Sequence, residues 1–161
     1  AEAGEEAGAD LGYRWYGARA RMSMRLEKSW GVWTLDYRPD FTAAESGMDV
    51  FINWKKDFVG KAAAEAERAT GPKQKLIVMT IDVDGIDVSN DEAVMRDGAA
   101  VGYVSSGGYA HHVGRSMAMA YVGAEHAEPG TKLQVEIMAE FYDAEVVGVP
   151  VYDANGANMR G

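Results

Sequence analysis

The chain of 161 residues contains no cysteine. Disulfides, thiolate catalysis and Cys-ligated zinc are therefore excluded, and a reducing, cytoplasmic setting is the expectation. Positive charge is scarce too: 16 Lys and Arg stand against 25 Asp and Glu, for a net charge of −9. Phosphate backbones and anionic membranes need clustered Lys and Arg, so neither nucleic acid nor a membrane is an expected partner. Long hydrophobic runs are missing: stretches such as AMAYV fall far short of the roughly 20 residues that a membrane span requires. No basic stretch followed by an apolar segment marks a secretory leader. What remains is ordinary globular composition, 47% apolar and 25% charged, long enough for one domain with a real core or a small domain plus part of another.

The opening AEAGEEAGADLGYR has no hydrophobic anchor before Leu11 and reads like a chain that begins in mid-helix or in a loop. From Arg14 to Lys28, apolar residues at Trp15, Ala18, Met22 and Leu26 follow a helical period, and Gly31 with the residues after it is expected to end that helix. Thr42-Ala-Ala-Glu45 matches a capping box and should open a short helix or turn. Met48 to Trp54 alternates as a strand does, and Asp57 can cap a helix from Phe58 to about Ala69 that Thr70-Gly71-Pro72 stops. Beyond that boundary the pattern changes. LIVMTIDV, AVMRDG, AAVGYVSSG, RSMAMAYV, KLQVEIM and FYDAEVVGV read as strands. Asp97-Gly98 supplies the positive φ of a tight hairpin, and Pro129-Gly130 marks another turn. About six antiparallel strands in this span imply a small barrel or sandwich.

Most motifs that invite a chemical reading fail on spacing. His111 and His112 are adjacent, so on an extended segment their rings point to opposite faces and cannot easily clasp one metal. Ser105, Ser106 and Ser116 lack the strand-to-helix nucleophile elbow. Gly102, Gly107 and Gly108 have no strand–turn–helix around them, and fit a corner in a barrel strand better than a dinucleotide loop. IDVDGIDVSNDE lacks the third ligand of a calcium loop, because Gly85 follows Asp84 directly. No catalytic residue and no metal ligand is therefore assigned. Arg14, Arg19, Arg21, Arg25 and Lys28 form a locally basic stretch, suited either to a polyanionic small molecule or to a solvated helix face. Glu27 stands among them. Its carboxylate can accept two hydrogen bonds from a flat amidine-like edge, such as that of a pterin, or can pair with Arg25 or Lys28.

Several blocks in order, namely GARARMSMRLEKSWGVWTLDYRPDFTAAESGMDVFINWKKDFVGKAA, VMRDGAAVGYVSSGGYAHHVGRSMAMAYV, PGTKLQVEIMAEFYDAEVV and PVYD, resemble the carboxyl-terminal part of the sarcosine and dimethylglycine dehydrogenase family. Its folate-binding portion is shared with the glycine-cleavage T-protein, an aminomethyltransferase. The resemblance implies an α+β chain: residues 1–71 as the end of an aminomethyltransferase-like folate-binding domain, then residues 72–161 as a small antiparallel β-barrel. It implies a parent that demethylates a methylated amine oxidatively and passes the one-carbon unit to tetrahydrofolate, with Glu27 at the pterin. FAD would belong to a domain absent here, the family's catalytic aspartate has no match here, and a missing N-terminal segment or separate subunit would complete the site. A flavin-free aminomethyltransferase, a folate-dependent demethylase and a non-catalytic module are the alternatives. Ser29 and Thr34 stand where the family usually has glycine, which puts folate recognition at that turn in question.

Overall fold

The computed structural model describes residues 2–160. Helix α1 (Glu2–Gly8), helix α2 (Ala18–Glu27) and helix α3 (Lys61–Thr70) precede six strands: β1 (Gln74–Ile81), β2 (Ala93–Arg96), β3 (Ala99–Ala110), β4 (Arg115–Gly123), β5 (Lys132–Ile137) and β6 (Glu140–Val146). A short helix α4 (Ala157–Arg160) follows. The strands close into an antiparallel barrel in the order β1-β4-β3-β2-β5-β6, with β1 pairing back to β6. This is the α+β class and small barrel that the strand pattern and the resemblance imply.

Alternation explains the barrel core. Ile77, Met79 and Ile81 of β1 join Ala118, Ala120 and Val122 of β4 and Val135 and Ile137 of β5 in the interior. In β4 the other face is buried as well: Met117 and Met119 lie outside the barrel with Leu26 of α2, Val78 and Ala110. A strand covered on both sides needs continuous apolar sequence, which is why SMAMAYV shows so little polar alternation. Leu26 is fully buried, and burial of a leucine contributes about 1.5–3 kcal/mol, enough to hold α2 against the sheet.

Turn chemistry fixes the register. Asp97 and Gly98 both have positive φ (51° and 79°), as a two-residue primed turn requires. The β5–β6 hairpin uses Met138 and Ala139 at φ 52° and 66° instead, a turn without a sequence signal. Two glycines are demanded by close approach: a Cβ on Gly102 would collide with the Tyr121 carbonyl oxygen, and one on Gly107 with Val88.

The segment before the barrel departs from the sequence reading at several points. Helix α2 begins at Ala18, not Arg14, because Gly17 is extended. Its last helical residue is Glu27 and it closes at Ser29 rather than Gly31: Trp30 N–H donates to Arg25 O and Ser29 N–H to Leu26 O, a Schellman closure with Ser29 at φ 57° in the position usually held by glycine. Thr34 also sits at positive φ, 75°. Both substitutions thus fall at left-handed positions, which is the physical reason glycine is expected there. Met48–Trp54 is not a strand but encloses a 3-10 turn at Asp49–Phe51; among the described residues it pairs with no strand, and Val50 and Phe51 face solvent. Helix α3 starts after Gly60 (φ 88°), not after Asp57, since a left-handed residue cannot lie within a right-handed helix. The Thr42–Glu45 box forms reciprocally, Thr42 N–H to Glu45 Oε2 at 3.0 Å and Glu45 N–H to Thr42 Oγ1 at 3.1 Å, but opens only a turn.

Candidate functional site

Helix α2 is fastened to strand β3 at two points. At the first, Ser23 Oγ accepts the His111 amide at 3.0 Å, and Glu27 Oε1 accepts the His112 and Val113 amides at 2.6 and 3.2 Å. These contacts clasp the β3–β4 tip. The alternative ion pairs for Glu27 do not form, because Arg25 pairs with Asp36 and Lys28 with Asp153. Glu27 is only 4% exposed, and its Oε2 has no hydrogen-bond partner among the described residues. The imidazoles separate: His111 meets the Tyr109 ring edge at 5.0 Å and His112 meets Tyr152 at 4.2 Å. Among the described residues, no group of three or more His, Asp or Glu side chains is placed to hold a metal ion.

The second point centres on Asp36, which is 0% exposed. Its Oδ2 accepts Val32 N–H at 2.7 Å and Arg25 Nη1 at 2.8 Å. Its Oδ1 accepts the hydroxyls of Ser105 and Ser106, each at 2.5 Å, and its carbonyl oxygen accepts Tyr121 Oη–H at 2.8 Å. Two consecutive serines in a strand would normally face opposite ways. Here the β3–β4 register shifts between Val104 and Ser106, and this bulge lets both hydroxyls reach one carboxylate. Burial pulls the Arg25 guanidinium below its usual range, while Asp36 pushes it back up. Burial pushes the Tyr121 phenol up to about 12, with the Ser46 hydroxyl partly offsetting it.

Asp36 and Tyr121 were not singled out from sequence, and Ser105 and Ser106 were considered only as nucleophiles. Their hydroxyls are instead committed to Asp36, and neither histidine ring bonds to them among the described residues. The usable signal was the serine pair in an otherwise apolar strand, since two adjacent polar residues there require a bulge or a buried partner. Lys28 Nζ donates to the Asp153 carbonyl at 2.7 Å and pairs with its carboxylate at 3.4 Å, tying the end of α2 to the carboxyl-terminal segment. Tyr152 N–H adds a bond to Glu27 O at 3.0 Å.

A six-stranded barrel with a helix–turn unit locked across β3 and β4 defines a T-protein-type module. The comparisons agree. The family model described as the glycine cleavage T-protein C-terminal barrel domain matches residues 74–153, and the one described as the GCVT N-terminal domain matches residues 3–56. The chain belongs to the glycine-cleavage T-protein family. It is 32% identical over 151 residues to the mitochondrial dimethylglycine dehydrogenase of Homo sapiens, covering 92% of this chain and 17% of that protein. It is 36% identical over 154 residues to an aminomethyltransferase of Saccharopolyspora erythraea, covering 93% and 41% respectively. The crystal structure of the glycine cleavage system aminomethyltransferase T from Bartonella henselae superposes with a TM-score of 0.86 at 22% identity, over 95% of this chain and 44% of that one. The chain thus spans less than half the length of these relatives.

Proposed function

We propose that this chain forms the carboxyl-terminal part of a folate-linked enzyme that demethylates a methylated amine oxidatively and delivers the one-carbon unit to tetrahydrofolate. The similarity to dimethylglycine dehydrogenases over 92% of the chain carries this reading. Tetrahydrofolate, when bound, accepts the one-carbon unit; the flavin that oxidises the amine belongs to polypeptide outside these residues, as does the rest of the folate pocket. The setting is cytoplasmic in this proposal, whereas the dimethylglycine dehydrogenase relatives are named as mitochondrial. No helix among the described residues is long and apolar enough to cross a membrane.

The residues present fit one edge of a pterin. Glu27 is held by two hydrogen bonds from backbone amide N–H groups to Oε1, which leaves Oε2 as an acceptor for a ring or amino N–H. A bidentate grip would compete with the β3–β4 tip, so the contact through Oε2 is a single charge-assisted hydrogen bond. A second reading, a flavin-free aminomethyltransferase, is favoured by the 36% match to such an enzyme; it uses the same folate contact. Calorimetric titration of the chain with 5-formyltetrahydrofolate tests both. Saturable binding is expected, weakened about tenfold in Glu27→Gln, which corresponds to about 1.4 kcal/mol. Absence of heat at millimolar ligand would overturn the proposal.

A further inference from the structure

One cavity of this molecule has no part in the site around Glu27. It lies between α3, the turn that begins at Thr42 and the first residues of β1, and its volume of about 890 Å³ falls within the size range of small-molecule pockets. Helix α3 bridges this space rather than packing down on the barrel, for none of its residues is buried. Thr42 Oγ1 donates to Glu67 Oε1 at 2.7 Å and ties the helix to the turn across the gap. Ile52, Trp54, Ala64 and Leu76 supply an apolar portion of the wall. Two opposite charges in the cavity are left uncompensated. Glu45 is 9% exposed; its Oε2 accepts the Thr42 amide at 3.0 Å, whereas Oε1 has no partner among the described residues and is not sealed from solvent. Lys75 is half-buried. The Leu76 amide donates to the Glu45 carbonyl oxygen at 2.7 Å, so the two residues stand on adjoining backbone. Neither pairs with the other or with any described residue. A buried charge without a partner is costly, and these two share one cavity without closing on each other.

We infer that this cavity binds a free α-amino acid with an apolar side chain. The ligand's ammonium donates to Glu45 Oε1, its carboxylate accepts from Lys75 Nζ, and its side chain rests against Ile52 and Ala64. A molecule that carries both charges on one carbon satisfies both residues at once. A simple anion leaves Glu45 without a partner, and a simple cation leaves Lys75 without one. The rest of the lining agrees: three carboxylates (Glu45, Asp49 and Glu67) face three cations (Arg68, Lys73 and Lys75), a balance that suits a ligand of no net charge. Arg68 is already engaged, with its guanidinium 4.8 Å from the centre of the Trp54 ring, and Glu67 is held by Thr42. Glu45 and Lys75 are the charges that remain for the ligand.

The test is an amide NMR titration of the labelled full chain with L-leucine. Saturable shifts in the millimolar range are expected at Glu45, Ala64, Lys75 and Leu76. Two analogues each lack one of the charges: N-acetyl-L-leucine has no ammonium and L-leucinamide has no carboxylate. Each should bind at least about tenfold more weakly, as loss of a charge-assisted hydrogen bond implies. Glu45→Gln and Lys75→Met should each weaken L-leucine by a similar factor. Glutamine also serves at this position of a capping box, so the Thr42–Glu45 turn should keep its fold, and unchanged amide shifts elsewhere in the spectrum check this. Absence of saturable shifts with L-leucine would overturn the inference. So would an analogue that binds as tightly as L-leucine, or shifts centred on the β3–β4 tip instead of on α3 and the start of β1.

Discussion

Replacement of Asp36 by asparagine preserves shape and removes charge, and the structure sets the size of the effect. Asp36 is surrounded by donors: Arg25 Nη1 and the Val32 amide on one oxygen, two serine hydroxyls on the other. An asparagine can keep its oxygen toward Arg25 and Val32 and turn its amide toward the serines, whose hydroxyls rotate to accept. Steric cost is therefore small, and the loss is electrostatic. Arg25 is only 7% exposed, and removing one member of a buried ion pair costs about 3–5 kcal/mol because the remaining charge is left without compensation. Against a typical domain stability of about 5–15 kcal/mol, the variant should approach the folding threshold. With a urea m-value of about 1–3 kcal/mol/M, the midpoint should fall by roughly 2 M. Ser106→Ala should cost about 1.5–3 kcal/mol, because its hydroxyl donates to a charged carboxylate, and its effect should largely vanish in the Asp36→Asn background. Joint replacement of Arg25 by Met and Asp36 by Leu should recover much of the loss. A cost below about 1 kcal/mol for Asp36→Asn would refute the claim that this network joins α2 to the barrel.

Ser29→Gly relieves a left-handed residue at the end of α2 and should stabilise the chain by about 1 kcal/mol, read as a raised thermal midpoint; a lowered midpoint would contradict the Schellman assignment. Tyr121 is raised from about 10 to about 12 by burial, so the fold favours its neutral form. Its contribution is fully present below pH 10 and is lost as pH rises through 12. Ultraviolet titration of tyrosinate should show a late-ionising component that is absent from Tyr121→Phe.

The barrel was largely legible because a strand buried on one or both faces leaves a local imprint: the alternation in β5, the continuous apolar run in β4, and Asp97-Gly98 at a turn that demands positive φ. Helix α2 was legible as a helix but not in its ends, since Ser29 gives no sign of adopting the conformation that glycine adopts by default. The Met48–Trp54 reading failed because alternation alone cannot distinguish a strand from an exposed 3-10 turn, and among the described residues the segment pairs with no strand. The Asp36 network was invisible because Ser105, Ser106 and Tyr121 lie about 70 residues or more from Asp36 in sequence, and it is the β3 bulge that turns both serine hydroxyls toward its carboxylate. Glu27 was singled out from its basic surroundings and assigned to the pterin only through family resemblance, yet its bonds to the β3–β4 tip come from tertiary structure alone.

The most direct test of the account is a two-dimensional amide NMR titration of the labelled chain with tetrahydrofolate. The account predicts saturable shifts centred on Glu27 and on the His112 and Val113 amides that its carboxylate holds, strongly reduced in Glu27→Gln. Saturable shifts confined to the far end of the barrel, around Met138 and Phe141, or no shifts at all, would contradict it.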